Sequence, residues 1–286
     1  MKPELCDHCG KATWYAPEAS CRACDWPASL RAPNVQIAKA EQRALYRRYE
    51  QARDRAEARG CAELFSKLEQ VAARSKAVVT VGSHFAYHFL NSEKEVYSPY
   101  GLLVGAMVRA PYSLQADRQR RVVESWLFGQ YADQIVYASL SSDGTGLASY
   151  GLVHMTLDER TIAHRASVLE ENSVTFARRY LPGSPPPKGY RSTWSDRGRL
   201  AAAKLEPKLV SEIEERDLPT LLLNSGERYN DEFLEVHIYG SFNWQAVAAI
   251  RVTMPESSPL TAIEQTLLKA LELEARKKGI DWQNGF

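Results

Sequence analysis

The sequence predicts an α+β protein with a small zinc-ribbon module, a helical connector, and a body in which helices flank a mixed or antiparallel split β-sheet. Four of the five cysteines form two Cys-x2-Cys pairs near the start of the chain. A long segment rich in Ala, Glu and Arg, without Gly or Pro, follows them. From residue 77 onward, β-branched runs alternate with helical patterns. The predicted boundaries are 1–32, 33–76 and 77–286.

The composition is that of an ordinary globular chain. Its 286 residues are 44% hydrophobic and 25% charged, and a formal net charge of +1 gives no global field toward nucleic acid or membranes. No apolar run approaches the ~20 residues of a membrane span, and residues 1–6 lack the apolar core of a secretory signal. We therefore expect a soluble, cytoplasmic protein without a membrane partner.

The cysteine pairs predict a structural Zn²⁺ site. Cys6-x2-Cys9 and Cys21-x2-Cys24 each turn two thiolates toward one ion. Four thiolates leave no open coordination position, which favours a structural role over a catalytic one. Disulfides do not suit a cytosolic chain. The remaining Cys61 is expected to be a small buried residue.

The function of this module stays open between two interpretations. Trp14, Tyr15 and Trp26 could stack on bases, with Lys11 and Arg22 near phosphates. The same aromatic residues could instead form the core of the module, because a zinc-held fold of this size has few other apolar groups.

The connector is predicted to contain two helices. Asn34 is the expected N-cap of a helix over 35–59, and Gly60 ends or bends it. A second helical pattern covers 61–75. Arginines and carboxylates interleave along the first helix, which is typical of a solvated face with local ion pairs and, less often, of a nucleic-acid surface.

The body alternates between strand and helix patterns. Predicted strands cover 77–81, 101–109, 135–141, 150–157 and 221–223. Predicted helices cover 118–128, 205–215 and 261–278, the last beginning with the capping box Thr261-x2-Glu264. No phosphate-binding loop or dinucleotide fingerprint is present.

A strand around Glu235 organises the body. Apolar residues at 234, 236 and 238 alternate with Glu235, His237 and Tyr239, and Gly240-Ser241 is a turn signal. Residues 231–252 therefore predict two strands joined by a tight turn. Glu235 is either a solvated carboxylate on a sheet edge or a catalytic carboxylate displayed in a cleft.

Two predicted strands of the body together carry a family pattern. One reads Tyr137-Ala138-Ser139-Leu140-Ser141, an aromatic residue followed by two serines. The other carries Glu235 and leads through a turn into the apolar segment 246–252. This pattern resembles the ADP-ribosyltransferase fold, in particular its toxin and phage-defence members, over roughly residues 77–252. The resemblance implies a split, mostly antiparallel sheet and an NAD-dependent glycosyltransferase.

The resemblance also implies a role for each site residue. Glu235 would be the catalytic carboxylate, stabilising the positive charge that develops on the ribose as nicotinamide leaves. Ser139 and Ser141 would lie on the nicotinamide-ribose side of the NAD co-substrate. The residue that holds NAD is expected after the first strand, where His84 is preferred and Arg109 is the competing choice. These groups would fix the pose of the cofactor.

Two departures from the family pattern bear on the acceptor. Leu140 replaces a Thr, and Phe233 stands two residues before Glu235, where many protein-modifying members carry Gln or Glu. Phe233 disfavours an arginine side chain as the acceptor and favours an RNA or DNA base or another side chain. A toxic transferase would normally need a neutralising antitoxin partner.

Two other classes of function stay open. The chain could be a nucleic-acid- or protein-binding adaptor without catalysis, with the zinc module as its working end. It could also be a hydrolase or metal-dependent nuclease that uses Glu235, His237 and Glu232. An NAD-sized cleft lined by Glu235 and the Ser139 strand would favour the transferase over both.

Overall fold

The computed structural model describes residues 4–5, 12–13, 32–106, 113–181, 185–210, 212–226, 231–254 and 260–284. These residues form a mixed α+β structure with one large sheet, which confirms the predicted class. The zinc ligands Cys6, Cys9, Cys21 and Cys24 lie outside the described residues, so the zinc ribbon stays a prediction. No described helix combines the length and the apolarity needed to cross a membrane.

The described residues form twelve strands and ten α-helices. The strands are β1 Glu4–Leu5, β2 Ala12–Thr13, β3 Lys76–Val81, β4 Ile135–Ser141, β5 Val153–Leu157, β6 Ala166–Leu169, β7 Arg191–Thr193, β8 Leu223–Asn224, β9 Glu232–Phe233, β10 Glu235–Tyr239, β11 Val247–Val252 and β12 Asp281–Asn284. The helices are α1 Pro33–Ala58, α2 Ala62–Arg74, α3 Ser83–Asn91, α4 Tyr100–Gly105, α5 Leu114–Phe128, α6 Glu159–Ile162, α7 Ser173–Tyr180, α8 Arg197–Leu205, α9 Leu218–Leu222 and α10 Ala262–Lys277.

Eight of these strands form one continuous sheet in the order β12-β11-β5-β3-β4-β10-β6-β7. All neighbours are antiparallel except β11 and β12, which are parallel. The predicted hairpin between the Glu235 strand and the next strand is wrong. β10 pairs with β4 and β6, whereas β11 pairs with β5 and β12. Local alternation identifies a strand, but the partners of a strand are chosen by distant residues.

The two faces of this sheet carry different helices. Val236 and Ile238 point to a large core that includes apolar residues of α1, α2, α3 and α8. The segment 33–76, separated above as a connector, therefore packs in the same core as the sheet. The opposite face, which carries Glu235 and His237, is covered over β4, β10 and β6 by apolar residues of α5 and α7.

Three local predictions differ from the structure. The apolar run that begins at Gly101 forms α4 rather than a strand, because a short apolar run fits either element. Helix α1 starts at Pro33 with Ala32 as its N-cap, and the Asn34 amide instead donates to Ser167 Oγ and to the His237 carbonyl. Helix α8 ends at Leu205, where a helix was expected to begin.

The loop between β4 and β5 lies over the sheet face that carries His154. Its backbone N–H at Gly146 donates to His154 Nδ1 over 3.1 Å, which fixes the Nε2–H tautomer that donates to Thr253 Oγ1 over 2.8 Å. His154 is fully buried. Burial lowers the pKa of His154 to about 4, although Asp143 partly opposes this shift.

His154 is expected to make the fold sensitive to acid. A histidine whose pKa is depressed by folding contributes stability that is present above pH ~6.5 and is lost as the pH falls through about 4. The predicted loss in the free energy of unfolding between pH 7 and pH 4 is about 3 kcal/mol. Urea unfolding across this range should show a shallower decline for His154→Gln than for the wild type, and equal declines would contradict the assignment.

Candidate functional site

The Glu235 side chain is buried in the middle of the sheet and is held by donors from two elements. It is 5% exposed, so the alternative of a solvated edge carboxylate is wrong. Its Oε1 accepts from the Ser173 hydroxyl and from the Ser173 backbone N–H at 3.3 Å, and its Oε2 accepts from Asn172 Nδ2 at 3.2 Å. The Nε2–H of His237 donates to Oε1 over 2.7 Å. Both carboxylate oxygens are therefore engaged.

The donors of this carboxylate belong to the start of α7. Asn172 is the N-cap of that helix, and its Oδ1 accepts from the backbone N–H groups of Val174 and Thr175. The Asn172 amide nitrogen and the first helical residue, Ser173, remain free to reach β10. The partial positive charge of a helix N-terminus favours an ionised carboxylate at this place.

A second buried carboxylate lies on α5, facing the same part of the sheet. Glu124 is 5% exposed and accepts from Arg120 Nε at 2.5 Å. The Arg120 guanidinium lies 4.3 Å from the ring centre of Tyr100 and 5.0 Å from that of Tyr137. Burial opposes the charge of Arg120, but the charges of Glu124 and Glu235 contribute to a net rise in the pKa of Arg120.

Tyr137 connects the two carboxylates. It lies opposite His237 in the register of β4 and β10, with ring centres 5.3 Å apart. Burial, together with the negative charges of Glu124 and Glu235, raises the pKa of Tyr137 well above its usual value. The buried Tyr137 hydroxyl faces the Glu124 carboxylate and is a neutral donor to it.

A cleft of about 250 Å³ opens beside this cluster. Helices α4 and α5 and the turn that follows α5 form its walls, and both Arg120 and Glu124 line it. Glu235 is not part of the described wall, but its charge reaches Arg120 and Glu124. No residue of β4 is among its described lining residues either, so this cleft is not lined by Glu235 and the Ser139 strand.

The two serines of the middle motif have different surroundings. Ser139 lies directly opposite Glu235 in the β4–β10 register, is buried, and donates to the Val78 carbonyl over 3.3 Å. Ser141 donates to Asp143 Oδ1 over 2.9 Å and accepts from the Gly144 N–H over 3.1 Å, so it holds the turn after β4. The structure brings Ser139 to Glu235 and places Ser141 in the loop.

The structure does not bring His84 next to Glu235. His84 is exposed in the first turn of α3, with its ring centre 4.5 Å from that of His88. The apolar residues of α3 pack into the core on the face of the sheet opposite to the Glu235 side chain. Arg109 lies outside the described residues, between α4 and α5 in the sequence, and these two helices line the cleft.

Glu232, the third residue of the hydrolase or nuclease alternative, is separate from the cluster around Glu235. It is exposed on β9 and forms an ion pair with Lys208. Among the described residues, no group of three or more His, Cys, Asp or Glu side chains could hold a metal ion. The set of Glu235, His237 and Glu232 is therefore not assembled as a metal site.

Several residues of the cluster were not identified as site residues from the sequence. Arg120 and Glu124 are an i,i+4 pair on a predicted helix, which by itself indicates only a local ion pair. Asn172 and Ser173 match the start of a helix, and this pattern does not predict a contact with β10. The sequence did place Glu235 and His237 together, because residues two apart in a strand face the same side of the sheet.

A comparison with protein-family models finds no match to this chain. A comparison with curated proteins also finds no match. The function of this protein is therefore inferred from the geometry around Glu235.

Proposed function

We propose that this protein is an NAD-dependent ADP-ribosyltransferase with Glu235 as its catalytic carboxylate. The observation that carries the proposal is the placement of Glu235, an ionisable side chain buried in an interior strand, fixed by its donors and directly opposite Ser139. A buried carboxylate without such support would be costly, and a site that stabilises developing charge requires this fixed geometry.

The chemistry follows from the charge of the substrate. Cleavage of the bond between ribose and nicotinamide gives the ribose positive character, and nicotinamide departs as a neutral group. A fixed anion stabilises that charge without reorganising in the reaction. Glu235 supplies the anion.

We propose Arg109 rather than His84 as the residue that holds NAD. The segment between α4 and α5 carries Arg109, and both of these helices line the cleft. His84 belongs to a helix on the other face of the sheet. Arg121 also lines the cleft, and its exposed guanidinium pairs with the buried Asp117 and can reach a phosphate.

The direct test is transfer of label from adenine-labelled NAD in cell extract separated into protein, RNA and DNA fractions. We expect nicotinamide release and label in one fraction, which would also identify the acceptor class. A folded wild-type protein that releases no nicotinamide would overturn the proposal and favour an adaptor without catalysis.

The amino-terminal cysteines are proposed to hold a structural Zn²⁺. The donor set of four thiolates suits this ion. The short strands β1 and β2 pair antiparallel, with Leu5 opposite Ala12, and Cys6 and Cys9 lie between them in the sequence. This hairpin supports the proposal because zinc ribbons hold paired cysteines between short strands.

Elemental analysis of the purified chain is expected to find about one equivalent of zinc. The paired substitution Cys6→Ser with Cys9→Ser should abolish it, because two thiolates cannot complete a tetrahedral site. Cys61→Ala is the matched control, since Cys61 is buried against α2 and the Leu209 carbonyl. Zinc retained by the paired variant would contradict the site.

A further inference from the structure

An acceptor that attacks the ribose must lose a proton, and Glu235 is poorly placed to take it. Both Glu235 oxygens already accept hydrogen bonds, from Ser173, Asn172 and His237. A carboxylate held in this way by four donors suits a fixed group that stabilises the charge on the ribose. The residue two positions earlier, Phe233, is 9% exposed and apolar, so it also cannot accept a proton.

Glu124 is the carboxylate that joins the cleft to the buried cluster. It lines the cleft from α5, next to Gly129 and Gln130 of the following turn. Its second neighbour is Tyr137, which in turn lies opposite His237 on β10. The charge of Glu235 acts on Glu124. Asp117 and Asp133 also line the cleft, and Asp117 pairs with Arg121.

We propose that Glu124 is the base that accepts the proton of the acceptor during transfer, an inference that rests on the proposed function. The bond between ribose C1′ and the nicotinamide nitrogen breaks, its electron pair stays on that nitrogen, and neutral nicotinamide leaves. A lone pair of the acceptor oxygen or nitrogen forms the new bond to C1′. The acceptor proton moves to the Glu124 carboxylate and from there to water.

The surroundings of Glu124 suit this role. Burial raises the pKa of Glu124 above its usual range, and the charge of Glu235 raises it further, which makes Glu124 a stronger base than a solvated glutamate. Arg120 opposes both effects through its charge and its hydrogen bond to Glu124. The Arg120 guanidinium is itself held between the rings of Tyr100 and Tyr137, so the base has a fixed position.

The test separates the two chemical events, nicotinamide release and label transfer. Wild-type protein, Glu124→Gln and Glu124→Asp are incubated with adenine-labelled NAD and the protein, RNA and DNA fractions of cell extract. The amount of transferred label is divided by the amount of nicotinamide released. We expect this ratio to fall at least about tenfold in Glu124→Gln, within the range attributed to general bases, and to be intermediate in Glu124→Asp.

The matched control is Glu232→Gln, because Glu232 is exposed and lies outside the cluster. The ratio of transferred label to released nicotinamide in this variant should equal that of the wild type. Thermal unfolding shows whether each variant is folded. If Glu124→Gln does not fold, the Glu124→Asp variant still tests the role of Glu124. A ratio unchanged in the folded variants would overturn the role of Glu124. Equal loss of release and transfer would overturn it too, since Glu124 would then serve the cleavage step.

Two results address the wild type itself. Nicotinamide release without label in any fraction would overturn the acceptor role of Glu124, because water would then be the acceptor. No nicotinamide release by folded protein would overturn the proposed function itself, which is a different result from any of those expected for the variants.

Discussion

Glu235→Gln is expected to lower nicotinamide release from NAD at least about 100-fold, which corresponds to about 2.7 kcal/mol of transition-state stabilisation. The substitution removes the negative charge and keeps the size of the side chain. Gln can still accept from Ser173 and His237 through its amide oxygen, so the fold around α7 and β10 should persist. The measurement is the initial rate of nicotinamide release at saturating NAD.

Glu232→Gln is the control for this experiment. Glu232 lies three residues earlier, is exposed, and pairs only with Lys208 at the surface among its described contacts. Surface pairs contribute about 0–1 kcal/mol to stability, so the rate and the melting temperature should both remain near those of the wild type. A Glu235→Gln variant that keeps full rate while folded would exclude Glu235 as the catalytic carboxylate.

Gly151→Ala is expected to destabilise the fold by about 3 kcal/mol. Gly151 has φ +146°, a conformation that residues with a Cβ rarely adopt. An added Cβ would also lie 2.3 Å from the Val81 carbonyl oxygen and 2.7 Å from the Gly82 nitrogen. These are backbone atoms at the end of β3, so relief requires movement of the loop or of the strand.

Gly82→Ala is the matched control, because a Cβ at Gly82 would meet no atom within 4 Å and the residue has φ −70°. Its free energy of unfolding should stay within about 0.5 kcal/mol of the wild type. Chemical denaturation of both variants makes the comparison. Equal stabilities for the Gly151 and Gly82 variants would show that the loop after β4 adapts easily.

Elements with a clear period were predictable from the sequence. The alternation at β10, the β-branched run at β3 and the capping box of α10 are each set by neighbouring residues, and each is present in the structure. The helical patterns of α1 and α2 were also predicted to within a few residues. Local propensity and pattern decide such elements.

The candidate site was only partly predictable, for a different reason. Glu235 and Ser139 were identified on separate strands, but their direct opposition depends on the register of β4 and β10. Asn172, Ser173 and Glu124 reach the cluster from helices whose sequences indicate only caps and ion pairs. Tertiary packing creates these contacts, and no local pattern encodes them.

His84 illustrates the limit of an argument from order along the chain. It follows a correctly predicted strand, β3, at the position where a cofactor-binding residue was expected. The chain then turns into α3, which packs on the opposite face of the sheet. Sequence spacing does not show on which side of a sheet the next helix lies.

The interior position of β10 has a consequence for incomplete chains. β10 fills the space between β4 and β6, two strands that precede it by a long stretch of sequence. A chain that stops before residue 235 would leave β4 and β6 each with an open backbone edge, and such edges pair readily with other chains and promote aggregation. Because these contacts are so distant in sequence, sheet closure is expected to be slow and to occur late in folding. Premature termination would therefore yield aggregation-prone material rather than a smaller active protein.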